Sequence, residues 1–209
     1  VVAEDEGDGL VADEVGADLY ISAMGLASAD LNGDGAMDYC MTDIADQLTC
    51  LLSSGGSYYD GAFANGLVVD HEEHPDTPSD WDEKKKDEGR PVWVGWGLAM
   101  VDFDADGNVD LAAAAGPTPD QGTVTLSSTH AFQPDWMWRG QPDGSFKSVV
   151  SSVAYGSADA HYGLATADLD LDGEQEIIVG GSEGRPEIWN NPCGSGAWVE
   201  VEMVGPSDN

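Results

Sequence analysis

Three copies of one acidic loop constrain this chain more than any other feature of its sequence. Each copy follows a Gly-Leu-Ala lead-in, with acidic or amide side chains at positions 1, 3 and 5, glycine at position 6 and an acid at position 9. We call them loop 1 (30–38), loop 2 (102–110) and loop 3 (168–176). The first position recurs after 72 and then 66 residues. Recurrence at such intervals predicts a repeat architecture.

The spacing predicts that each loop wraps around one hard cation, about three ions in all. Side-chain oxygens at positions 1, 3, 5 and 9 and the backbone carbonyl at position 7 converge, and glycine permits the sharp turn. Ca²⁺ accepts about six to eight oxygen ligands, Mg²⁺ requires a tighter octahedron, and zinc and copper prefer nitrogen or sulfur. Acidic turns without metal are the alternative, and three matching copies argue against it. The predicted ligands are Asp30, Asn32, Asp34, the Ala36 carbonyl and Asp38 in loop 1; Asp102, Asp104, Asp106, the Asn108 carbonyl and Asp110 in loop 2; and Asp168, Asp170, Asp172, the Glu174 carbonyl and Glu176 in loop 3.

The residues around the loops predict strands rather than helices. An EF-hand needs a bidentate Glu at position 12 and a helix on each side, whereas position 12 here is Met41, Ala113 or Val179. A Gly-containing turn followed by an aromatic residue lies downstream of each loop, at 54–58, 139–146 and 190–198. The repeating unit is therefore strand, cation loop, two strands, hairpin turn and strand. Four antiparallel strands per unit predict an all-β fold of β-propeller blades.

At this point the residues resemble FG-GAP/VCBS repeats, which are propeller blades with Ca²⁺ in the loop between the first two strands, as in integrin α-subunit heads. The run 188–205 is similar to the junction that follows the propeller in the cartilage acidic protein (ASPIC/UnbV) family. The resemblance covers roughly 20–70 and 93–207. Because a closed propeller needs four or more blades and three are visible, it implies a partial propeller that belongs to a larger one or is completed by another chain.

The repeats divide the chain into predicted segments. They are the end of a preceding blade or a linker (1–24), a blade (25–70), a charged insertion (71–92), a blade (93–150), and a blade with the start of a carboxy-terminal module (151–209). The insertion contains His71 and His74 beside two glutamates, a possible transition-metal site, but a solvated surface loop is the favoured interpretation.

The three cysteines leave alternatives open. A hairpin register centred on Ala45 sets Cys40 opposite Cys50, which allows either a cross-strand disulfide or two buried thiols. Cys193 is then left over, as a buried thiol or an inter-chain candidate.

Aromatic and histidine residues receive structural interpretations. Trp136 and Trp138 alternate along one strand and face the same side, and packing between blades is favoured over stacking on a sugar. Trp93 and Trp96 are interpreted likewise. His130 and His161 are isolated, and no role is predicted for them.

The charge excludes several classes of partner. The chain has 40 Asp and Glu against 7 Lys and Arg in 209 residues, a formal net charge of −33. Nucleic-acid binding needs basic residues to replace counterions, and anionic membranes also attract basic segments. No run approaches the ~18–20 apolar residues of a membrane span. Metal ions, a basic partner or adaptation to high salt would each relieve the self-repulsion.

These observations predict a secreted or cell-surface, calcium-binding propeller that serves as a binding and adhesion scaffold, with structural Ca²⁺ and an unidentified protein or glycan partner. The chain begins at Val1, so either a signal was removed or the sequence is a fragment. A polysaccharide-binding or polysaccharide-cleaving propeller, and a self-assembling surface or filament subunit, are the alternatives. No nucleophile elbow, P-loop or Cys-His signature occurs, so no enzymatic activity is expected.

Overall fold

The computed structural model describes residues 21–44, 48–70, 93–117, 133–150, 160–181, 186–191 and 199. Within these ranges the regular structure consists of β-strands in three separate antiparallel sheets. No helix in the described ranges is long and apolar enough to cross a membrane. The predicted all-β class is confirmed for this part of the chain.

Each sheet is formed by strands that follow one another directly in the sequence. Sheet 1 contains β1 (Leu26–Ala29), β2 (Asp38–Thr42), β3 (Leu48–Ser54) and β4 (Ser57–Asp60). Sheet 2 contains β5 (Gly95–Val101), β6 (Asp110–Ala115), β7 (Trp136–Gly140) and β8 (Phe146–Ser148). Sheet 3 contains β9 (His161–Ala167), β10 (Glu176–Gly181) and β11 (Glu187–Trp189). Each acidic loop joins the first two strands of its sheet, as the sequence predicts, and the arrangement is consistent with propeller blades.

Sheet 2 lies between the other two sheets, and β6 provides its buried centre. Side chains alternate across a strand, so odd and even residues of β6 face opposite sheets. Leu111 and Ala113 belong to the apolar cluster shared with sheet 1, and Ala112 and Ala114 to the cluster shared with sheet 3. The small side chains allow a close approach from both sides, which is why an alanine-rich strand lies in the core.

The glycines that open the first two Gly-Leu-Ala lead-ins, Gly25 and Gly97, permit neighbouring first strands to touch. The strand β5 contacts β1 on one side and β9 on the other. A Cβ atom on Gly25 would clash with the carbonyl oxygen of Trp96, and one on Gly97 would lie 2.6 Å from the backbone nitrogen of Leu164. Any larger residue at these two positions would push the sheets apart.

The hairpin between β2 and β3 has the predicted register. Cys40 pairs with Cys50 across the two strands, and the two residues form a disulfide with their Cα atoms 4.1 Å apart. The disulfide alternative is therefore correct, and the alternative of two thiols is wrong. Cys193 lies outside the described residues.

The tryptophans of β7 pack between sheets, as predicted. Trp136 and Trp138 are fully buried, with stacked rings 5.7 Å apart, in the cluster between sheets 1 and 2. The indole nitrogen of Trp138 donates to the carbonyl of Val68, in the segment that follows sheet 1, at 3.0 Å. These two rings are consequently not available to a sugar. Trp93 is also buried, while Trp96 is half-buried.

His161 is a structural residue for which the sequence predicts no role, and that prediction is wrong. Its Nδ1 lies 2.6 Å from Oδ2 of Asp135, and both side chains are buried. Asp135 precedes β7 in sheet 2 and His161 begins β9 in sheet 3, so the pair joins two sheets.

Two of the three predicted hairpin turns lie in the described ranges, and several other predictions do not. The turns at 54–58 and 139–146 do form the β3–β4 and β7–β8 hairpins. The insertion 71–92, most of the turn 190–198 and His130 lie outside the described residues.

Candidate metal centre

The position 1 carboxylate organises each loop in the same way. It accepts the backbone N–H groups of positions 5 and 6, which folds the chain back over it. Asp30 accepts from Asp34 and Gly35 at 3.0 and 2.8 Å. Asp102 and Asp168 accept the corresponding bonds at distances between 2.8 and 3.1 Å. Position 6 has a positive φ in every loop, as predicted for its glycine, with values of 85°, 91° and 93° at Gly35, Gly107 and Gly173.

The acid at position 9 anchors each loop to its sheet. Asp38, Asp110 and Glu176 are the first residues of β2, β6 and β10 and are 0%, 1% and 2% exposed. One oxygen of each accepts the N–H of position 2 at 2.7 to 2.9 Å. The second oxygen of Asp38 accepts the N–H of Ser53 in β3 at 2.7 Å, and that of Asp110 accepts the N–H of Gly140 in β7 at 2.8 Å.

Three predicted ligand side chains come together in loop 2 and again in loop 3. One carboxylate oxygen from each of positions 1, 3 and 9 lies within 4.8 Å of the other two. The two sets are Asp102, Asp104 and Asp110, and Asp168, Asp170 and Glu176. Across the described ranges, loop 1 contributes no such acidic cluster. Its position 3 is Asn32, whose Oδ1 accepts the N–H of Asp34 at 3.0 Å.

The position 5 carboxylates point elsewhere. Oδ1 of each accepts the backbone N–H of position 7 at 2.8 to 2.9 Å. The acceptors are Asp34, Asp106 and Asp172, and the donors are Ala36, Asn108 and Glu174. Position 5 therefore closes the turn and does not belong to the acidic clusters. The roles of its carboxylate and of the position 7 carbonyl as ligands stay predictions.

Loop 3 contains a buried carboxylate oxygen that lacks a hydrogen bond. Oε2 of Glu176 accepts the N–H of Leu169 at 2.7 Å, whereas Oε1 is buried and has no hydrogen-bond partner in the described part of the chain. Oδ1 of Asp104 in loop 2 is in the same situation. A buried anionic oxygen without a donor is unfavourable, and a cation bound among these carboxylates would satisfy it. The residues present therefore fit a divalent cation.

The electrostatics of the clusters point in the same direction. Burial raises the pKa of Asp110 to about 6, against the backbone N–H groups that it accepts, and the charges of Asp104 and Asp102 add to the increase. Desolvation, followed by the charge of Asp172, raises the pKa of Asp170. A positive charge among these carboxylates would lower their pKa values and favour the ionised form.

Two features of the loops were not predicted from the sequence. Arg139 on β7 contacts loop 2 through Nε, 2.6 Å from Oδ2 of Asp104, and through its terminal nitrogen, 2.8 Å from Oδ2 of Asp106. Position 4 also has a positive φ in each loop, at Gly33, Ala105 and Leu171. The glycine of loop 1 is the one sequence signal for this second turn. A contact between strand and loop such as that of Arg139 has no local signal at all.

Comparison with known proteins bears on the central part of the chain. A family model described as an FG-GAP-like repeat matches residues 102–179. No curated protein matches the chain. The matched region begins at position 1 of loop 2 and ends in β10, so it includes both acidic clusters. Residues 102–179 thus contain an FG-GAP-like repeat.

Proposed function

We propose that this protein is an extracellular calcium-binding β-propeller that serves as a binding and adhesion scaffold, in which Ca²⁺ has a structural role. The acidic loops hold the first two strands of each sheet in register, and the bound ions stabilise that arrangement. Catalysis at the loops is not part of the proposal, because the carboxylates at positions 1, 5 and 9 accept backbone N–H groups and the proposed cation would take the oxygens that remain.

The observation that carries the metal site is the buried Oε1 of Glu176, which has no hydrogen-bond partner among the described residues, on a side chain whose carboxylate lies in a cluster with those of Asp168 and Asp170. The other oxygen of Glu176, Oε2, accepts the N–H of Leu169 and fixes the carboxylate in place. In the described part of the chain no donor reaches Oε1, and a bound cation would satisfy it.

Calcium is the ion that the donor set supports best. All candidate side-chain donors are carboxylate or amide oxygens, which argues against zinc and copper. The carboxylates of each nine-residue loop differ in how deeply they are buried. Such an irregular donor set suits the tolerant coordination of Ca²⁺ better than the regular octahedron of Mg²⁺. Weak sites of this kind fill at extracellular Ca²⁺ concentrations, which supports the proposed location.

The larger architecture is also part of the proposal. Three sheets with adjacent first strands suit a propeller that further blades would close. The ASPIC/UnbV resemblance remains a prediction, because residues 192–198 and 200–209 lie outside the described part of the chain.

The first prediction concerns calcium binding itself. Titration of the chelator-treated full chain by calorimetry is expected to give two to three bound Ca²⁺ ions, with weaker heats for Mg²⁺. Removal of Ca²⁺ is expected to lower the melting temperature, since each site at ~100-fold excess over its Kd adds up to ~2.7 kcal/mol.

A pair of variants makes this test specific. Asp168→Asn is expected to remove one ion and part of the calcium-dependent melting shift. Asp143→Asn is the matched control, because Asp143 carries the same charge but lies in the β7–β8 turn and accepts from Ser145. Equal stoichiometry and equal melting shifts in the two variants would show that loop 3 holds no ion.

A further inference from the structure

Loop 2 differs from the other two loops because an arginine forms ion pairs with its carboxylates. The guanidinium of Arg139 is 2.6 Å from Oδ2 of Asp104 and 2.8 Å from Oδ2 of Asp106, which are positions 3 and 5 of the loop. Lys147 is the other Lys or Arg among the described residues, so half of the basic side chains there are placed on one acidic loop. Basic side chains are scarce in this part of the chain, and one of the two there pairs with carboxylates of a predicted cation loop.

The strand register shows that the other sheets have no equivalent cation. Leu111 of β6 pairs with Trp138, and Arg139 is the next residue along β7. By the same register, Tyr39 pairs with Leu51 in sheet 1 and Ile177 pairs with Trp189 in sheet 3. The residues that follow these partners are Leu52 and Asn190, and neither carries a charge.

The contact of Arg139 with Asp104 uses one of the two carboxylate oxygens. It takes Oδ2 of Asp104, whereas Oδ1 of the same carboxylate is buried, has no hydrogen-bond partner in the described ranges and belongs to a side chain of the acidic cluster. A guanidinium stays charged at all accessible pH values, so its positive charge is present whether or not a metal is bound.

We propose that Arg139 is a tethered counter-ion of loop 2 that holds the loop in shape without metal and lowers its affinity for a divalent cation below that of loop 3. This inference rests on the proposed calcium-binding function. In the metal-free protein the arginine offsets the repulsion between neighbouring carboxylates. In the metal-bound protein the same charge lies next to the ion and repels it. Loop 3 consequently fills before loop 2 as the Ca²⁺ concentration rises.

The test compares two full-length variants that each lose one positive charge. Arg139→Gln removes the tethered cation. Lys147→Gln removes the positive charge of the residue opposite Arg139 in the register of β7 and β8. No contact between Lys147 and a loop carboxylate is seen in the described structure. Calorimetric titration of CaCl₂ into the chelator-treated chains is expected to show one binding step, that of loop 2, strengthened about tenfold in Arg139→Gln and nearly unchanged in Lys147→Gln.

A second readout does not depend on bound metal. With chelator present, Arg139→Gln is expected to melt at a lower temperature than Lys147→Gln, and the difference should shrink as salt screens the ion pair. Arg139→Lys keeps the charge and is expected to titrate within about threefold of the wild type.

The outcomes separate this inference from the proposed function. If the wild type binds Ca²⁺ and Arg139→Gln titrates and melts like Lys147→Gln, the inference is wrong and the calcium-binding proposal stands. If no variant and no wild-type sample binds Ca²⁺ at millimolar concentration, the proposed function is wrong and the inference is wrong with it.

Discussion

Position 4 of each loop is a residue under backbone constraint. Its φ is 72° at Gly33, 55° at Ala105 and 62° at Leu171. These values lie in the left-handed region, where a residue with a Cβ atom is disfavoured by about 1–2 kcal/mol. The turn at position 4 directs the N–H groups of positions 5 and 6 onto the position 1 carboxylate. Backbone strain at position 4 therefore accompanies a fixed arrangement of the predicted ligand oxygens.

Because of this strain, we expect substitutions at position 4 of loops 3 and 1 to change the free energy of unfolding in opposite directions. Leu171→Gly is expected to raise the free energy of unfolding by about 0.5–1 kcal/mol, because the relief of strain exceeds the entropy that glycine adds to the unfolded chain. Little packing is lost, since Leu171 is 66% exposed. Gly33→Ala is expected to lower the free energy of unfolding by about 1 kcal/mol. Urea denaturation in chelator measures both, and a loss of stability in Leu171→Gly would contradict the argument.

Among the elements, β6 and its neighbours determine how the sheets stack. The strand is buried on both faces, with alanines toward both neighbouring sheets, so its packing depends on close approach and not on bulk. A polar contact reinforces the junction of sheets 2 and 3. Asp135 directly precedes β7, accepts the N–H of Ala115 at 2.9 Å with one oxygen and contacts His161 with the other.

Disruption of this junction is expected to cost more than one hydrogen bond. His161→Ala leaves the buried Asp135 without its ring partner, and we expect a loss of about 1–3 kcal/mol in the free energy of unfolding. In a double-mutant cycle with Asp135→Asn, the two losses should be less than additive by at least about 0.5 kcal/mol. Chemical denaturation of the four proteins provides the measurement. Strict additivity would indicate that the 2.6 Å contact contributes nothing to stability.

The same junction shows where sequence reasoning reaches its limit. The loops were predictable because their ligand positions lie within nine consecutive residues, such as 168–176, and the spacing itself indicates a turn around one point. The Cys40–Cys50 pairing was predictable because a short hairpin fixes its own register. The contact between Asp135 and His161 spans 26 positions and two sheets, and that of Arg139 depends on the register between β6 and β7. Contacts of this kind follow from the stacking of elements, which no local pattern encodes.

At the scale of the whole molecule, charge is the dominant feature. A formal net charge of −33 opposes compaction, and the acidic loops concentrate that charge. Three divalent ions would add six positive charges and change −33 to −27. The change is modest in total but is located where the repulsion is strongest. Metal binding and folding are therefore expected to be coupled in this protein.

Protons and metal ions compete for part of this charge. Burial raises the pKa of Asp110 and of Asp135 to about 6 from an ordinary value of 3.8. The folded protein thus binds protons at these groups more tightly than the unfolded chain does. The stability that they contribute is complete below pH 3.8 and is lost as the pH rises through about 6. A metal ion in loop 2 requires ionised Asp110, so calcium-dependent stability has the opposite sign and is lost as the pH falls through about 6.

The melting temperatures with Ca²⁺ and with chelator are therefore expected to diverge as the pH rises from about 5 to about 7. The chelator curve should fall with rising pH, while the calcium curve should stay level or rise. Asp135→Asn should flatten part of the chelator curve and leave the calcium dependence intact, because Asp135 lies at the junction of the sheets. Asp110→Asn should reduce both effects, because Asp110 belongs to the acidic cluster. A gap between the curves that does not change with pH would mean that the ionisation of Asp110 is not linked to metal binding.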